Sequence, residues 1–298
     1  MGRLFFTKDK NIMRATPLSI IKKRPTLFRS LTGLPFDKFT ELLKQIEPLY
    51  EQSEAKRLYK DKRERKQGGG RQKQLDLSNQ LLMLLMYYRL YVSQEFLGLI
   101  FSLHNCNVSR QIKYLEPLLA KVFKIPTRKI KLEEENLTEE ELIDIFIDAT
   151  EQQIRRPKRK QKKYYSGKKK KHTIKNQLVV TGKGKILSVS RSSPGSKHDK
   201  KLHDETKLIH DKSAKPISDL GYLGAVGVTM PIKKSKLKKL TFEDKKFNKE
   251  LSKHRIIVEH TIGKMKVFQI LSQRYRNDLS KHSLVFKNIA GLHNLLYA

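Results

Sequence analysis

The apolar runs after residue 141 constrain the fold most. LIDIFIDAT (142–150) is short and rich in β-branched residues, and HTIKNQLVV (172–180), TGKGK and ILSVSR (186–191) have the pattern of a strand, a turn and a second strand. A helical stretch, 197–210, and two short strand-like runs, 214–219 and 226–232, follow before a long helical stretch, 252–271. This order of strands and helices predicts an α/β domain.

Helical patterns precede these strands. The stretch LDLSNQLLMLLMYYRLYV (75–92) is apolar nearly all round, which predicts a buried helix. Residues 93–119 form two helical halves around the polar turn SLHNCN, and one face of the second half carries Val108, Ile112, Leu115 and Leu119. Arg110 and Lys113 point elsewhere. This is typical of a helix-turn-helix whose second helix enters a major groove, although an ordinary pair of antiparallel helices has the same pattern.

Changes in composition predict four parts of the chain. Residues 1–72 are an N-terminal helical and charged segment, with helical spacing through Phe39, Leu42 and Ile46, that ends in a linker at Gly68–Gly70. Residues 73–125 are the helix-turn-helix-like region, and residues 126–141 are an acidic linker. Residues 142–298 carry the strands and the last helices, and we expect them to form a separate domain.

The charge of the chain indicates its partner. Its 298 residues include 64 Lys and Arg against 30 Asp and Glu, a net charge of +34. Such an excess favours a polyanionic partner, with nucleic acid ahead of an anionic membrane surface. No apolar run approaches the roughly 20 residues that span a bilayer. The single cysteine, Cys106, excludes an internal disulfide and a cysteine-based metal cage, and fits a reducing, intracellular setting.

Three carboxylates are candidates for a metal site. Asp148 and Asp219 are predicted to end the first and fourth strands, where an open α/β sheet usually binds ligands, and Glu259 lies in the last helix. Mg²⁺ prefers oxygen ligands, and two divalent ions about 3.5–4 Å apart stabilise displacement at phosphorus. Each acid also has an ordinary interpretation, because aspartates form turns at strand ends and helical glutamates are commonly solvated.

Five stretches together carry a family resemblance: DATEQQIRRP, YYSGKKKKHTIKNQLVV, SSPGSKHD, SDLGYLG and HRIIVEHTIGKMK. In order and spacing, residues 140–298 resemble the DDE-type transposases of bacterial insertion sequences, in particular the insertion sequence five group. The preceding helices match that family's helix-turn-helix region less specifically. The resemblance implies an RNase H-like, mixed-sheet core preceded by an all-α helix-turn-helix region. It also implies that residues 142–298 are the catalytic domain, with metal-dependent endonuclease activity followed by strand transfer.

Carried over to this chain, the resemblance makes Asp148, Asp219 and Glu259 the catalytic and metal-binding residues, with two Mg²⁺ or Mn²⁺ ions. The family often shows a Tyr-x₂-Arg-x₃-Glu-x₆-Lys pattern around the glutamate. Arg255, Glu259 and Lys266 match it and share one helix face, whereas Ser252 stands at the Tyr position. One DNA contact expected of the family is therefore absent here or supplied elsewhere. The ordinary interpretation is a surface ion pair between Arg255 and Glu259.

Basic residues close to Asp148 are predicted to bind DNA. Residues 155–171 hold eleven Lys and Arg, including Lys168, Lys169, Lys170 and Lys171, and cations of this density displace counterions from phosphates. Solvated loops are the ordinary alternative. The neighbouring Tyr164 and Tyr165 either stack on an unpaired base or pack against the sheet. Histidines near the motifs lack zinc-ligand spacing, and His198-Asp199 follows the family's GS-x-HD pattern and is expected to organise a helix start.

The sequence therefore predicts a transposase that cuts and joins DNA. We expect Arg110 and Lys113, with Lys168–Lys171, Arg255 and Lys266, to contact it. The expected partners are the element's terminal inverted repeats, target DNA and a second copy of the chain on DNA. The expected location is the cytoplasm, in association with the nucleoid. The alternatives are a domesticated nuclease without strand transfer and a non-catalytic basic DNA-binding protein.

Overall fold

Six helices precede the sheet. The computed structural model describes residues 17–59, 73–127, 130–132, 145–206, 208–210, 216–234 and 239–297. The first helices are α1 (Pro17–Ile21), α2 (Pro25–Thr32), α3 (Phe36–Leu58), α4 (Leu77–Leu90), α5 (Gln94–Phe101) and α6 (Asn105–Phe123). As predicted, α4 is buried nearly all round, and its first turn is capped by the Asp76 carboxylate, which accepts from Asn79 N at 3.1 Å.

The helix pair α5–α6 has the predicted faces. Val108, Ile112 and Leu115 of α6 are buried, whereas Arg110 and Lys113 are exposed. The turn between the two helices lies close to Gly98 of α5, where a Cβ atom would lie 2.4 Å from the carbonyl oxygen of Leu103. A side chain at that position would therefore displace the turn.

The main sheet is built around one long strand. Its strands are β2 (Ile145–Gln153), β3 (Tyr165–Ser166), β4 (Lys171–Thr181), β5 (Ile186–Val189) and β6 (Ser193–Pro194), and a separate parallel pair joins β1 (Ile130–Leu132) to β7 (Leu208–His210). Strand β4 pairs antiparallel with β2, β3, β5 and β6. Beyond β2, Ile217 forms parallel bridges to Phe146 and to Thr229. The mixed sheet confirms the predicted α/β class.

Helices cover this sheet. After the short α7 (Gln161–Tyr164) come α8 (Asp199–Thr206), α9 (Phe242–Lys266), α10 (Gln269–Ser272) and α11 (His282–Tyr297). Helix α9 packs on β2, and α11 packs against both β5 and α6. One apolar core consequently contains Leu115 of α6, Phe146 of β2 and Ile289 of α11. Within the described residues no helix has the length and apolar character needed to cross a membrane.

The strand and helix ends differ from the sequence predictions. Strand β2 does not end at Asp148 but continues to Gln153, because β4 is long enough to pair with it as far as Thr173. The predicted helix 197–210 is shorter. It occupies Asp199–Thr206, and residues 208–210 form β7 instead. Before this helix, the Ser196 hydroxyl donates to the Lys163 carbonyl at 2.6 Å.

Other predicted segments are smaller or lie outside the described residues. Among the described residues 216–234, the strands predicted at 214–219 and 226–232 appear only as the bridges of Ile217 to Phe146 and to Thr229. Residues 60–72, with the predicted glycine linker, lie outside the described residues, as do residues 128–129 and 133–141 of the predicted acidic linker. The predicted long helix is confirmed as α9, although it ends at Lys266 and a turn precedes α10.

Candidate active site

Asp148 lies within β2, the strand between the long β4 and the bridged segment at Ile217. Its Oδ1 accepts from Ala149 N at 2.7 Å. Burial raises the pKa of the carboxyl to about 6, and the negative charges of Asp219 and Asp199 add to the rise, while Arg255 opposes it. A carboxylate in this position lacks a full countercharge and favours a bound cation.

Asp219 is brought to Asp148 by the strand register. Ile217 pairs in parallel with Phe146, so the aspartates two residues further along each segment lie side by side. Asp219 caps the short 3-10 turn Leu220–Tyr222 by accepting from Gly221 N at 2.9 Å. Ile217 pairs with Phe146 through one isolated bridge, so no strand continues beyond it and the backbone of Asp219 leads directly into the turn.

A third aspartate, Asp199, faces the same place. A Cβ atom on Gly221 would lie 2.7 Å from Asp199 Oδ2 and 2.9 Å from Asp219 Oδ1. The two carboxylates therefore flank Gly221 closely, and any side chain there would push them apart. The pKa of the buried Tyr222 is raised by burial first, and also by the charges of Asp148, Asp199 and Asp219.

Glu259 projects from α9 into a cleft that it shares with Asp148. The cleft has a volume of about 230 Å³, and its polar lining comprises Asp148, Thr150, Glu151, Lys168, Lys169, Lys175, Asp199, Glu259 and Lys266. Glu259 itself is exposed. Asp148 and Glu259 thus line one cleft, whereas Asp219 is not among its lining residues and lies close to Asp199 at Gly221.

Two cations of α9 accompany Glu259. Arg255, one turn earlier, is half-buried, and its Nε is buried with no hydrogen-bond partner among the described residues. Lys266 lines the cleft, and burial lowers its pKa, with the nearby Lys169 charge acting in the same direction. Both side chains retain donors for an anionic ligand.

The basic run lies at the cleft mouth. Lys168 and Lys169 line it, and Lys170 and Lys171 are exposed at the turn into β4. The two tyrosines differ: Tyr164 packs against the apolar core, whereas Tyr165 is 43% exposed and contacts His172 edge-on. Of the two alternatives considered for these tyrosines, packing against the protein is therefore the one that Tyr164 adopts.

Arg110 and Lys113 occupy a different part of the surface. Arg110 donates to Asn107 Oδ1 at 2.9 Å, and Lys113 lines a separate cleft of about 340 Å³ together with Glu116 and Lys281. The structure does not bring these two residues to the acidic cleft. They belong to α6, the second helix of the predicted helix-turn-helix.

The donor chemistry of the acidic cleft fits a divalent cation, since carboxylate oxygens of several elements converge there. Among the described residues, however, no three acidic, histidine or cysteine side chains stand close enough to surround one ion. Asp148, Asp219 and Glu259 would have to approach one another further to hold a metal. Burial is the main cause of the raised pKa of Asp148, and the smaller charge repulsion from Asp219 and Asp199 opposes such an approach until a cation is present.

Sequence reasoning missed three residues of this cleft. Asp199 was expected only to organise a helix start, and neither Glu151 nor Lys175 was predicted at the site. Lys175 is buried within β4, in a run of otherwise neutral strand residues. A charged residue in the middle of an apolar strand needs a partner, and this could have indicated a buried ion pair.

A mixed sheet preceded by a helix-turn-helix region, with acids on a strand, on the adjoining turn and on a long helix, is the organisation expected of the DDE superfamily. The family model described as DDE superfamily endonuclease matches residues 147–294, and the model for the helix-turn-helix of DDE superfamily endonuclease matches residues 73–125. The chain belongs to this family.

A more specific relative comes from Microchaete diplosiphon, the "Probable transposase for insertion sequence element IS702". The two proteins are 35% identical over 239 residues, which cover 77% of this chain and 84% of the relative. No solved structure gives a significant match. The chain is therefore a DDE-type insertion-sequence transposase by family, and the match at 73–125 favours the helix-turn-helix over an ordinary helix pair.

Proposed function

We propose that the chain binds the ends of a mobile element, cleaves phosphodiester bonds there with a divalent metal, and joins the freed 3′-hydroxyl to target DNA. The observation that carries this proposal is the meeting of Asp148 and Glu259 in one cleft walled by Lys168, Lys169 and Lys266. Acids for metal and cations for phosphate are the two sets of groups that this reaction requires.

Asp148, Asp219 and Glu259 would hold the metal, Mg²⁺ or Mn²⁺, as two ions. When bound, the metal supplies activation of the attacking oxygen and neutralises charge at phosphorus. Arg255, through its unpartnered Nε, would hold a non-bridging phosphate oxygen. Lys168, Lys169, Lys170, Lys171 and Lys266 would position the DNA backbone along the cleft.

The reaction needs no covalent link between protein and DNA. In the first step water attacks phosphorus and the 3′-oxygen of the element leaves as a hydroxyl. In the second, that hydroxyl attacks a target phosphodiester and releases the target's 3′-oxygen. Asp148, Asp219 and Glu259 serve both steps because the same phosphorus geometry recurs.

The test is amide substitution in the three acids. Asp148→Asn, Asp219→Asn and Glu259→Gln should each abolish cleavage in Mg²⁺ while DNA binding persists, because amides keep the shape but lose the charge that holds the metal. Glu250→Gln is the matched control on α9, since Glu250 is exposed and pairs only with the exposed Lys253. Full cleavage by a folded variant of any one acid would remove that residue from the site.

Product analysis separates the alternatives. A nuclease without strand transfer would release cut DNA but leave target DNA unjoined, and a non-catalytic DNA-binding protein would do neither. We expect joined products that depend on the element's terminal inverted repeats. Because two ends must be cut together, we also expect a dimer on DNA and a cytoplasmic, nucleoid-associated protein divided into the four predicted parts.

A further inference from the structure

A buried ammonium stands in the wall of the acidic cleft. Lys175 of β4 lies across the strand pair from Glu151 of β2, and its side chain is only 8% exposed. Its Nζ lies 2.8 Å from Asp199 Oδ1, 2.9 Å from the Lys197 carbonyl oxygen and 3.4 Å from Glu151 Oε1. An ammonium has three donors, so this one is fully used inside the protein.

The acids that Lys175 holds are also fixed. The Glu151 side chain is 8% exposed, and its second oxygen accepts from Thr173 Oγ1 at 2.7 Å. Asp199 begins α8, and its second oxygen faces Gly221 and, beyond it, Asp219. Lys175 thereby ties two strands and a helix start together, immediately beside the carboxylates proposed to hold metal.

Without Lys175 the cleft wall would present four carboxylates, those of Asp148, Glu151, Asp199 and Glu259, with Asp219 close to Asp199. Oxygen-rich sites of this kind take hard divalent cations readily, and a larger number of ligand charges binds them more tightly. A catalytic site needs its ions at defined positions, so ions at additional positions would not assist the displacement.

We propose that Lys175 is a positioning residue whose ammonium occupies a cation position between Glu151 and Asp199, keeps both acids out of metal coordination, and so confines divalent ions to Asp148, Asp219 and Glu259. This inference rests on the metal-dependent function proposed above. A purely structural lysine would differ in one respect. Its loss would lower stability, but it would not raise the affinity of the cleft for metal.

The test is metal binding by the full-length protein without DNA. Lys175→Gln and Lys175→Met are titrated with Mn²⁺ by calorimetry, and the rise of the melting temperature with Mn²⁺ is measured in parallel. We expect affinity to increase by about tenfold or more, or an additional ion to bind, because a positive charge is removed beside two released carboxylates. Cleavage at saturating metal should fall.

Three matched variants test whether the charge of Lys175 and the release of Asp199 cause the change in Mn²⁺ affinity. Lys175→Arg keeps the charge and should keep wild-type affinity. Lys200→Gln removes a lysine whose ion pair with Asp204 is on the exposed surface of α8, and should leave affinity unchanged. Lys175→Gln combined with Asp199→Asn should return affinity toward wild type, because one released carboxylate is removed again.

The outcomes distinguish this inference from the proposed function. Unchanged or weaker Mn²⁺ binding by Lys175→Gln, with normal wild-type binding, overturns the inference alone. If the wild-type protein binds no Mn²⁺, the proposed metal site fails and the inference fails with it. If the Lys175 variants do not fold, the Asp199→Asn variant provides the test. If it loses Mn²⁺ binding as completely as Asp148→Asn does, Asp199 is a metal ligand and the inference is refuted.

Discussion

Gly263 gives a prediction in which stability and activity change in opposite directions. It lies on α9 one turn beyond Glu259, on the face that also carries Arg255 and Lys266. Glycine in a helix interior is unfavourable, so its presence here needs a reason. Either the glycine lets α9 pack closely on a neighbour, or the open surface admits the DNA backbone beside Glu259.

The structure favours the second explanation. Gly263 is exposed, and a Cβ atom built on it would meet no atom within 4 Å. Gly263→Ala therefore gains helix propensity, about 1 kcal/mol, without a steric penalty. For a chain of this size such a gain raises the melting temperature by on the order of 2 °C.

Activity should move the other way. A methyl group on this face displaces a phosphate that passes between Glu259 and Lys266, and a misplacement of about 1 Å at a reacting centre costs on the order of 100-fold in rate. We expect Gly263→Ala to melt at or above the wild-type temperature with strongly reduced cleavage. Gly263→Leu should remain folded and lose cleavage entirely.

The assay is a thermal melt beside metal-dependent cleavage and strand transfer, each expressed per folded molecule. Gly291→Ala is the matched control. Gly291 is also inside a helix, but its Cβ would lie 2.0 Å from Phe123 Cγ, so this variant should be destabilised. A Gly263→Ala protein with a lowered melting temperature and normal activity would refute the argument, since it would mean that packing and not DNA requires the glycine.

Two further predictions concern α6 and the basic run. Arg110→Ala should reduce discrimination between an element end and random DNA, whereas neutralising Lys168–Lys171 should weaken binding to both DNAs equally and flatten the salt dependence of binding. Binding titrations at several salt concentrations test this. Loss of sequence preference from the lysine changes alone would contradict it. Glu116→Gln should flatten the pH dependence of stability. Burial raises the pKa of Glu116 to about 7, so its stabilising effect is complete below its unfolded pKa, near 4.5, and is lost as pH rises through about 7. At pH 8 the free energy of unfolding of the variant, measured in denaturant, should exceed that of the wild type by up to about 3 kcal/mol. Glu47→Gln, at an exposed position, is the control. An unchanged pH profile of stability would contradict the prediction.

The sequence predicted the elements better than their ends. Helix α9 and the β4–β5 hairpin follow from apolar period and turn residues, which are local properties. The length of β2 does not. Its polar half, with Glu151, is a strand because it pairs with β4 as far as Thr173, and this is a contact between distant parts of the chain.

The same limit applies to the site. Asp148, Asp219 and Glu259 were identified from motif order, and the strand register and the shared cleft are consistent with their joint role. Asp199 was interpreted locally, as part of a helix start. Its proximity to Asp219 depends on Gly221, whose missing side chain lets the two carboxylates approach. Single-sequence patterns carry no information on such approaches between a helix start and a separate turn.

The lysines of the cleft are of two kinds, which bind different anions. Exposed lysines at the cleft mouth, such as Lys168 and Lys169, are surrounded by water and have donors available for phosphate. Their attraction to phosphate therefore weakens as the salt concentration rises. Lys175 has no free donor and little contact with water, so salt should affect it little, and its charge acts on Glu151 and Asp199. Raising the salt concentration should therefore weaken DNA binding while leaving the Mn²⁺ difference between wild type and Lys175→Gln largely intact. If that difference disappeared at a salt concentration where the fold persists, the charge of Lys175 would be acting through solvent and not through the buried contacts.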